Sequence, residues 1–161
     1  MRVYHGSNMV VEHPDVSRSR PNLDFGAGFY ATSIRDQAEN WAVRKALRSG
    51  GVPMVSVYEM KEIPSEIRYL RFEENDAAWV EFVCSCRRGG SDYLDYDLIF
   101  GGVADDKVYA AVDLYYRGVW DIRRTLDELR FYDKNDQFCF VSQGALEALL
   151  QYEFSYEVEH G

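Results

Sequence analysis

Segments with a two-residue apolar period and segments with a helical period follow one another along this chain without a regular strand–helix–strand rhythm. That irregular alternation favours the α+β class over a doubly wound parallel sheet. Strands are expected at residues 2–5, at Phe29 to Thr32, at 54–60, at Ile67 to Phe72, at Phe138 to Val141 and near Phe154 to Val158, and Leu98-Ile99-Phe100 is a short apolar run bounded by Gly101-Gly102. A helix is expected after Ser33, which forms an apparent capping pair with Asp36, and running to about Leu47 before Gly50-Gly51. Further helices are expected from Asn75 or Asp76 to Arg87, from a cap at Asp105 through Lys107 to Tyr116, from Ile122 to Arg130, and after Ser142. No repeat, linker or low-complexity run divides the 161 residues, so one domain over 1–161 is expected.

Charge narrows the partners. A formal net charge of -9 argues against binding long nucleic acids through their backbone, which needs clustered Lys and Arg, although it leaves room for a nucleotide held in one cleft. Cys84, Cys86 and Cys139 show neither paired CxxC nor His spacing, so they read as reduced, buried small apolar side chains, with no metal site. The N-terminus carries no apolar signal core and no stretch approaches a membrane span. A soluble, cytoplasmic protein with no membrane partner is expected.

Two short motifs carry chemistry. Tyr4-His5-Gly6-Ser7 places a histidine at a strand end, followed by a residue without a side chain and then a hydroxyl. A ligand amide could bond the exposed Gly6 main chain while a neutral imidazole meets a sugar hydroxyl. Taken alone, a histidine there is ordinarily structural. Phe25-Gly26-Ala27-Gly28-Phe29-Tyr30-Ala31-Thr32 turns on two glycines into a strand that begins with two aromatics. It is not a dinucleotide fingerprint, since that needs GxGxxG between a strand and a helix. The glycines instead allow close approach of a ligand, and Tyr30 offers a ring for stacking.

Together these motifs resemble the ADP-ribosyltransferase superfamily, in the branch of the poly(ADP-ribose) polymerases and diphtheria-type toxins. The stretch from Tyr4 to Trp41 is also similar to an uncharacterised bacterial family of that superfamily, some members of which sit beside small antitoxin-like genes. The resemblance implies split mixed and antiparallel sheets around an NAD cleft with flanking helices. It implies that His5 bonds the adenosine ribose, Gly6 the nicotinamide carboxamide, and Tyr30 the nicotinamide ring, with Gly28, Ser7 and Thr32 contributing to the same cleft.

The third superfamily element is a glutamate at the start of a late strand. In Asn135-Asp136-Gln137-Phe138-Cys139-Phe140-Val141 that place falls to Gln137, which can accept from ribose hydroxyls but brings no charge and cannot act as a general base. Three alternatives stay open: Gln137 suffices for a single transfer, a nearby acid such as Asp136, Asp133 or Glu153 substitutes, or NAD is bound and not turned over. Arg18 and Arg20 lie in the loop between the two motifs, where the superfamily has its donor loop, and could reach a diphosphate. The acids of Asp97-Leu98-Ile99-Phe100-Gly101-Gly102-Val103-Ala104-Asp105-Asp106 read as structural, Asp105 above all as a helix cap.

The expected function is mono-ADP-ribosyl transfer from NAD to a macromolecular acceptor, by an enzyme of the glycosyltransferase class. The setting would be that of a bacterial toxin held by a small antitoxin protein. The alternative is a non-catalytic NAD or ADP-ribose binding module.

Overall fold

The computed structural model describes residues 1–159. It is a mixed α+β chain with seven strands in two sheets and five α-helices among the described residues. In chain order the elements are β1 (Arg2–Ser7), β2 (Phe29–Ala31), α1 (Arg35–Ser49), β3 (Met54–Met60), β4 (Tyr69–Arg71), α2 (Ala77–Arg87), β5 (Leu98–Gly101), α3 (Asp106–Tyr116), α4 (Ile122–Leu129), β6 (Gln137–Phe140), α5 (Gln143–Leu149) and β7 (Leu150–Glu157). Short 3-10 turns occupy Val16–Arg18 and Asp92–Asp95.

The first sheet is antiparallel with order β1-β3-β7, and the second is mixed with order β2-β6-β5-β4, in which only the β4–β5 pair is parallel. Side-chain alternation sorts the layers. In β3, Val55 and Val57 pack with Ala38 and Ala42 of α1, while Tyr58 and Met60 face the other way, into a cluster with Phe29, Phe138 and Phe140 of the second sheet. The opposite face of the second sheet carries Ile99 and Cys139. It is covered by Trp79, Val80 and Val83 of α2, Val108, Ala111 and Val112 of α3, and Leu129 of α4. The order of layers is therefore α1, first sheet, second sheet, then α2 to α4, with Leu146 and Leu149 of α5 filling the inter-sheet cluster.

The closeness of α1 to β1 depends on small residues. A Cβ on Gly6 would fall 2.8 Å from Ala42 N and closer still to Ala38 O, so only glycine opposite two alanines lets helix and strand touch. The two sheets meet at a single bridge, in which Tyr4 N donates to Thr32 O at 2.8 Å and Thr32 N to Tyr4 O at 2.9 Å.

Most expected elements lie where the residues place them, and three caps form as read: Asp76, Asp105 and Ser142 accept the N–H of Trp79, Val108 and Ala145, while Asp121, not singled out in the sequence, caps α4 through the N–H of Arg124. The α1 cap does not. Ile34 occupies the cap position without a side-chain bond, and Ser33 and Thr32 instead bond the Asp136 carboxylate. The last strand is longer than expected, starting at Leu150 directly from α5, with Glu153 the extra residue of a bulge opposite Val57 and Tyr58. The strand expected at Ile67 to Phe72 is shorter, at Tyr69–Arg71.

Candidate nucleotide site

The site lies where β1 and β2 part. Tyr4 exchanges both main-chain hydrogen bonds with Thr32, so its N–H and C=O point away from β3. Gly6 has the same phase in the strand, and its N–H and C=O therefore point the same way, past the end of the bridge. Among the described residues no main-chain or side-chain group takes them. This leaves one donor and one acceptor side by side on a strand edge, the arrangement that matches a planar amide.

His5 sits next to this edge. Its Nδ1 lies 2.6 Å from the Tyr30 carbonyl oxygen, an acceptor that requires the Nδ1–H tautomer and leaves Nε2 as the acceptor. The ring stacks on Phe29 with centroids 4.2 Å apart. Burial, helped by the charge of Lys45 and opposed by the bond to Tyr30, lowers the His5 pKa to about 4, so the imidazole is neutral at neutral pH. Ser7, on the same face of β1, is buried and makes only a long bond to Asn8 at 3.4 Å.

Tyr30 is more constrained than a free stacking face. Its hydroxyl donates to Gly26 O at 2.6 Å and accepts from Phe25 N at 3.0 Å, closing the glycine turn, and burial pushes its pKa well above the ordinary value. Gly26 holds φ +82, and Gly28 has no room for a Cβ, which would lie 2.6 Å from Cys139 Sγ and 2.7 Å from Phe140 O. The Gly28 N–H donates to Ser19 Oγ at 2.9 Å. The Thr32 hydroxyl donates to Asp136 at 2.7 Å. Gly28 and Thr32 thus shape the strand and its junction rather than presenting free groups to a ligand.

Gln137 is 3% exposed at the first position of β6, and its Nε2 donates to Asp24 Oδ2 at 2.9 Å and to Gly102 O at 3.1 Å. Strand parity puts Gln137 and Cys139 on the helix-covered face, and Tyr30 pairs with Cys139, whereas His5 stacks on Phe29 on the inter-sheet side. Asp136 joins the two halves through Thr32, Ser33 and the donation of Gln37 Nε2 to its carbonyl at 2.7 Å. Arg18 and Arg20 are exposed and enter no ion pair among the described residues. Neither is bonded to the other candidate residues.

Gln37 and Lys45 of α1, which the sequence reading did not single out, also act on the site. Gln37, Trp41 and Lys45 recur every four residues and so form one stripe of the helix, with Gln37 at Asp136 and Lys45 acting on His5. Trp41, between them, is half-buried and lies outside the three buried clusters. The signal available was this four-residue spacing immediately after the aromatic strand.

The acids after β4 are structural. Asp97 accepts the Arg68 main-chain N–H at 2.9 Å and two guanidinium bonds, which lower its pKa to about 2. Cys84, Cys86 and Cys139 are free and buried, and burial raises each thiol to about 11 or 12. No group of three or more His, Cys, Asp or Glu is placed to hold a metal ion among the described residues, and no helix there is long and apolar enough to cross a membrane.

A cavity of 480 Å³ opens beside Gly102 and Asn135, near the Gln137 end of the site, walled by Phe72, Phe100 and Tyr132. A second, of 290 Å³, lies between Met60, Ile63, Tyr69 and Phe138. Neither is lined by His5, Gly6 or Tyr30.

No curated protein matches the chain. The family described as Protein of unknown function (DUF3990) matches residues 1–152, nearly the whole length, and the chain belongs to that family.

Proposed function

We propose that the chain binds NAD along the Gly6 edge and transfers its ADP-ribose to a macromolecular acceptor. The observation that carries the reading is the pairing of an unpartnered Gly6 N–H and C=O with a neutral His5 whose Nε2 is an acceptor. A nicotinamide carboxamide offers one acceptor and one donor in a plane, which matches Gly6. A ribose hydroxyl can donate to His5 Nε2. Lys45 and the exposed Arg18 and Arg20 supply cations for the diphosphate between those two points. The Tyr30 ring, on the same face of the second sheet as Gln137, supplies an apolar face for the nicotinamide.

Transfer then runs by loosening the bond between the nicotinamide nitrogen and the ribose carbon. Nicotinamide leaves with the bonding electron pair, and an acceptor nucleophile attacks the cationic sugar. A carbonyl oxygen at Gln137 bonds a ribose hydroxyl and holds the sugar in place. It does not supply the full charge of a carboxylate, so the acceptor must be a group already nucleophilic at neutral pH. Toxic action restrained by a small antitoxin protein is the biological setting consistent with this reading.

A second reading is favoured by Gln137 itself. Its amide carries no charge and its Nε2 is committed to Asp24 and Gly102, which suits a module that binds NAD or ADP-ribose without cleaving it. Calorimetric titration of NAD and ADP-ribose into the native chain and into His5→Ala tests the site. A single saturable event lost in the variant supports both readings, and the absence of any binding rejects both.

A further inference from the structure

The Gln137 amide is gripped from one side. Nε2 faces two groups that can only accept, the Asp24 carboxylate at 2.9 Å and the Gly102 carbonyl at 3.1 Å, and this fixes which end of the amide is nitrogen. Oε1 receives no donor among the described residues and is not a sealed, unpartnered atom. The oxygen is therefore the end left for a ligand.

Asp24 is itself held in place. It is 6% exposed, its Oδ1 accepts from Arg87 Nε at 2.7 Å, and its Oδ2 also accepts the Ala104 N–H at 2.8 Å. Arg87 in turn donates to Ala104 O at 2.9 Å and lies over the Tyr109 ring at 4.2 Å. The carboxylate thus ties the C-terminal end of α2 and the link between β5 and α3 to the first residue of β6. It also directly precedes Phe25 and Gly26, the turn closed by the Tyr30 hydroxyl.

A carboxylate accepting from an amide N–H polarises that amide and makes its oxygen a better acceptor. A glutamate at 137 would instead set a second carboxylate against Asp24, and like charges at that separation are strongly disfavoured. Asp24 and glutamine at 137 therefore belong together.

We infer that Asp24 is a positioning residue, holding the Gln137 amide so that its carbonyl oxygen is presented to a sugar hydroxyl of the bound nucleotide. The inference rests on the NAD reading above. It assigns the negative charge that the site needs to a residue one hydrogen bond behind the one that meets the ligand.

The test is a double-mutant cycle on nicotinamide release, with Asp24→Asn, Gln137→Ala and the two combined. Asp24→Asn removes the charge behind the Gln137 amide and sets an NH2 group against either Arg87 or the Ala104 N–H, so the amide loses its fixed hold and kcat is expected to fall by about a hundredfold, as for a misplaced catalytic contact. KM for NAD is expected to stay within about threefold of native, because the Gly6 edge and His5 carry most of the ground-state binding and are left in place. The double variant should then lose no more than Gln137→Ala alone. Independent, multiplying losses would overturn the inference. Should Asp24→Asn fail to fold, Gln137→Glu keeps the test, since it leaves the Asp24–Arg87 pair intact. It is expected to release nicotinamide more slowly than the native chain at pH 7, and an equal or faster rate would overturn the inference. A native chain that binds no NAD overturns the NAD reading and this inference with it, whereas native release with additive losses overturns this inference alone.

Discussion

The His5 imidazole donates through Nδ1 to the Tyr30 carbonyl oxygen at 2.6 Å, which couples the end of β1 to the aromatic strand β2 beyond their single main-chain bridge. The bond fixes the tautomer, directs Nε2 outward as an acceptor, and keeps the ring flat on Phe29 at 4.2 Å. Everything proposed for the site depends on that ring being neutral.

Neutrality is measurable. With a folded pKa of about 4 against an ordinary 6.5, the unfolded chain binds more protons between those values, so His5 makes the fold lose stability as pH drops from 6.5 towards 4. The contribution is complete above 6.5 and is on the order of 2 kcal/mol, reduced from the full shift because the ring keeps some solvent contact. An NMR titration of the His5 ring should show no protonation at pH 6, and His5→Phe should flatten this part of the stability profile.

A separate acid transition belongs to Asp97. Its pKa is held at about 2 by hydrogen bonds from Arg68, below the ordinary 3.8, so its contribution is present above 3.8 and is lost as pH falls towards 2. Asp97→Ala should destabilise the fold by about 1–2 kcal/mol at neutral pH, since Arg68 is largely exposed. Urea unfolding of the variant at pH 7 and pH 2.5 should show the difference shrinking at the lower pH.

Gly6→Ala is expected to separate α1 from β1. The new Cβ would meet the main chain of α1 at Ala38 and Ala42, and backbone cannot yield as a flexible side chain can. A loss of about 1–3 kcal/mol is expected from such overpacking, read as a lowered Tm.

Tyr30→Phe distinguishes the ring from the hydroxyl. Losing the hydroxyl leaves the Gly26 carbonyl and the Phe25 N–H unpartnered, which should cost about 1–3 kcal/mol of stability. NAD affinity should change little, because the aromatic face remains; a large loss of affinity at unchanged stability would assign the hydroxyl, not the ring, to the ligand.

The sequence made visible what is local. Asp76, Asp105 and Ser142 announce their helices because each cap bonds an N–H three residues on, within reach of any reading of neighbours. Phe138 and Phe140 alternate with Cys139 and so reveal a strand buried on both faces. Non-local bonds leave no such trace. Ser33 reads as a cap, yet Asp136, 103 residues later, takes its hydroxyl and N–H. Gln137 reads as a residue free to meet a ribose, yet Asp24, 113 residues earlier, holds its nitrogen. His5, Gly6 and Tyr30 could be picked out by their motifs, whereas Gln37 and Lys45 become part of the site only once α1 is seen packed on β1.

The most direct measurement is nicotinamide release from NAD by the purified native chain, run beside a calorimetric NAD titration. One-site binding with release of free nicotinamide is expected, both diminished in His5→Ala. Binding without release would leave the site standing as a non-catalytic module. No heat of binding and no release would contradict the claim that this edge is made for NAD.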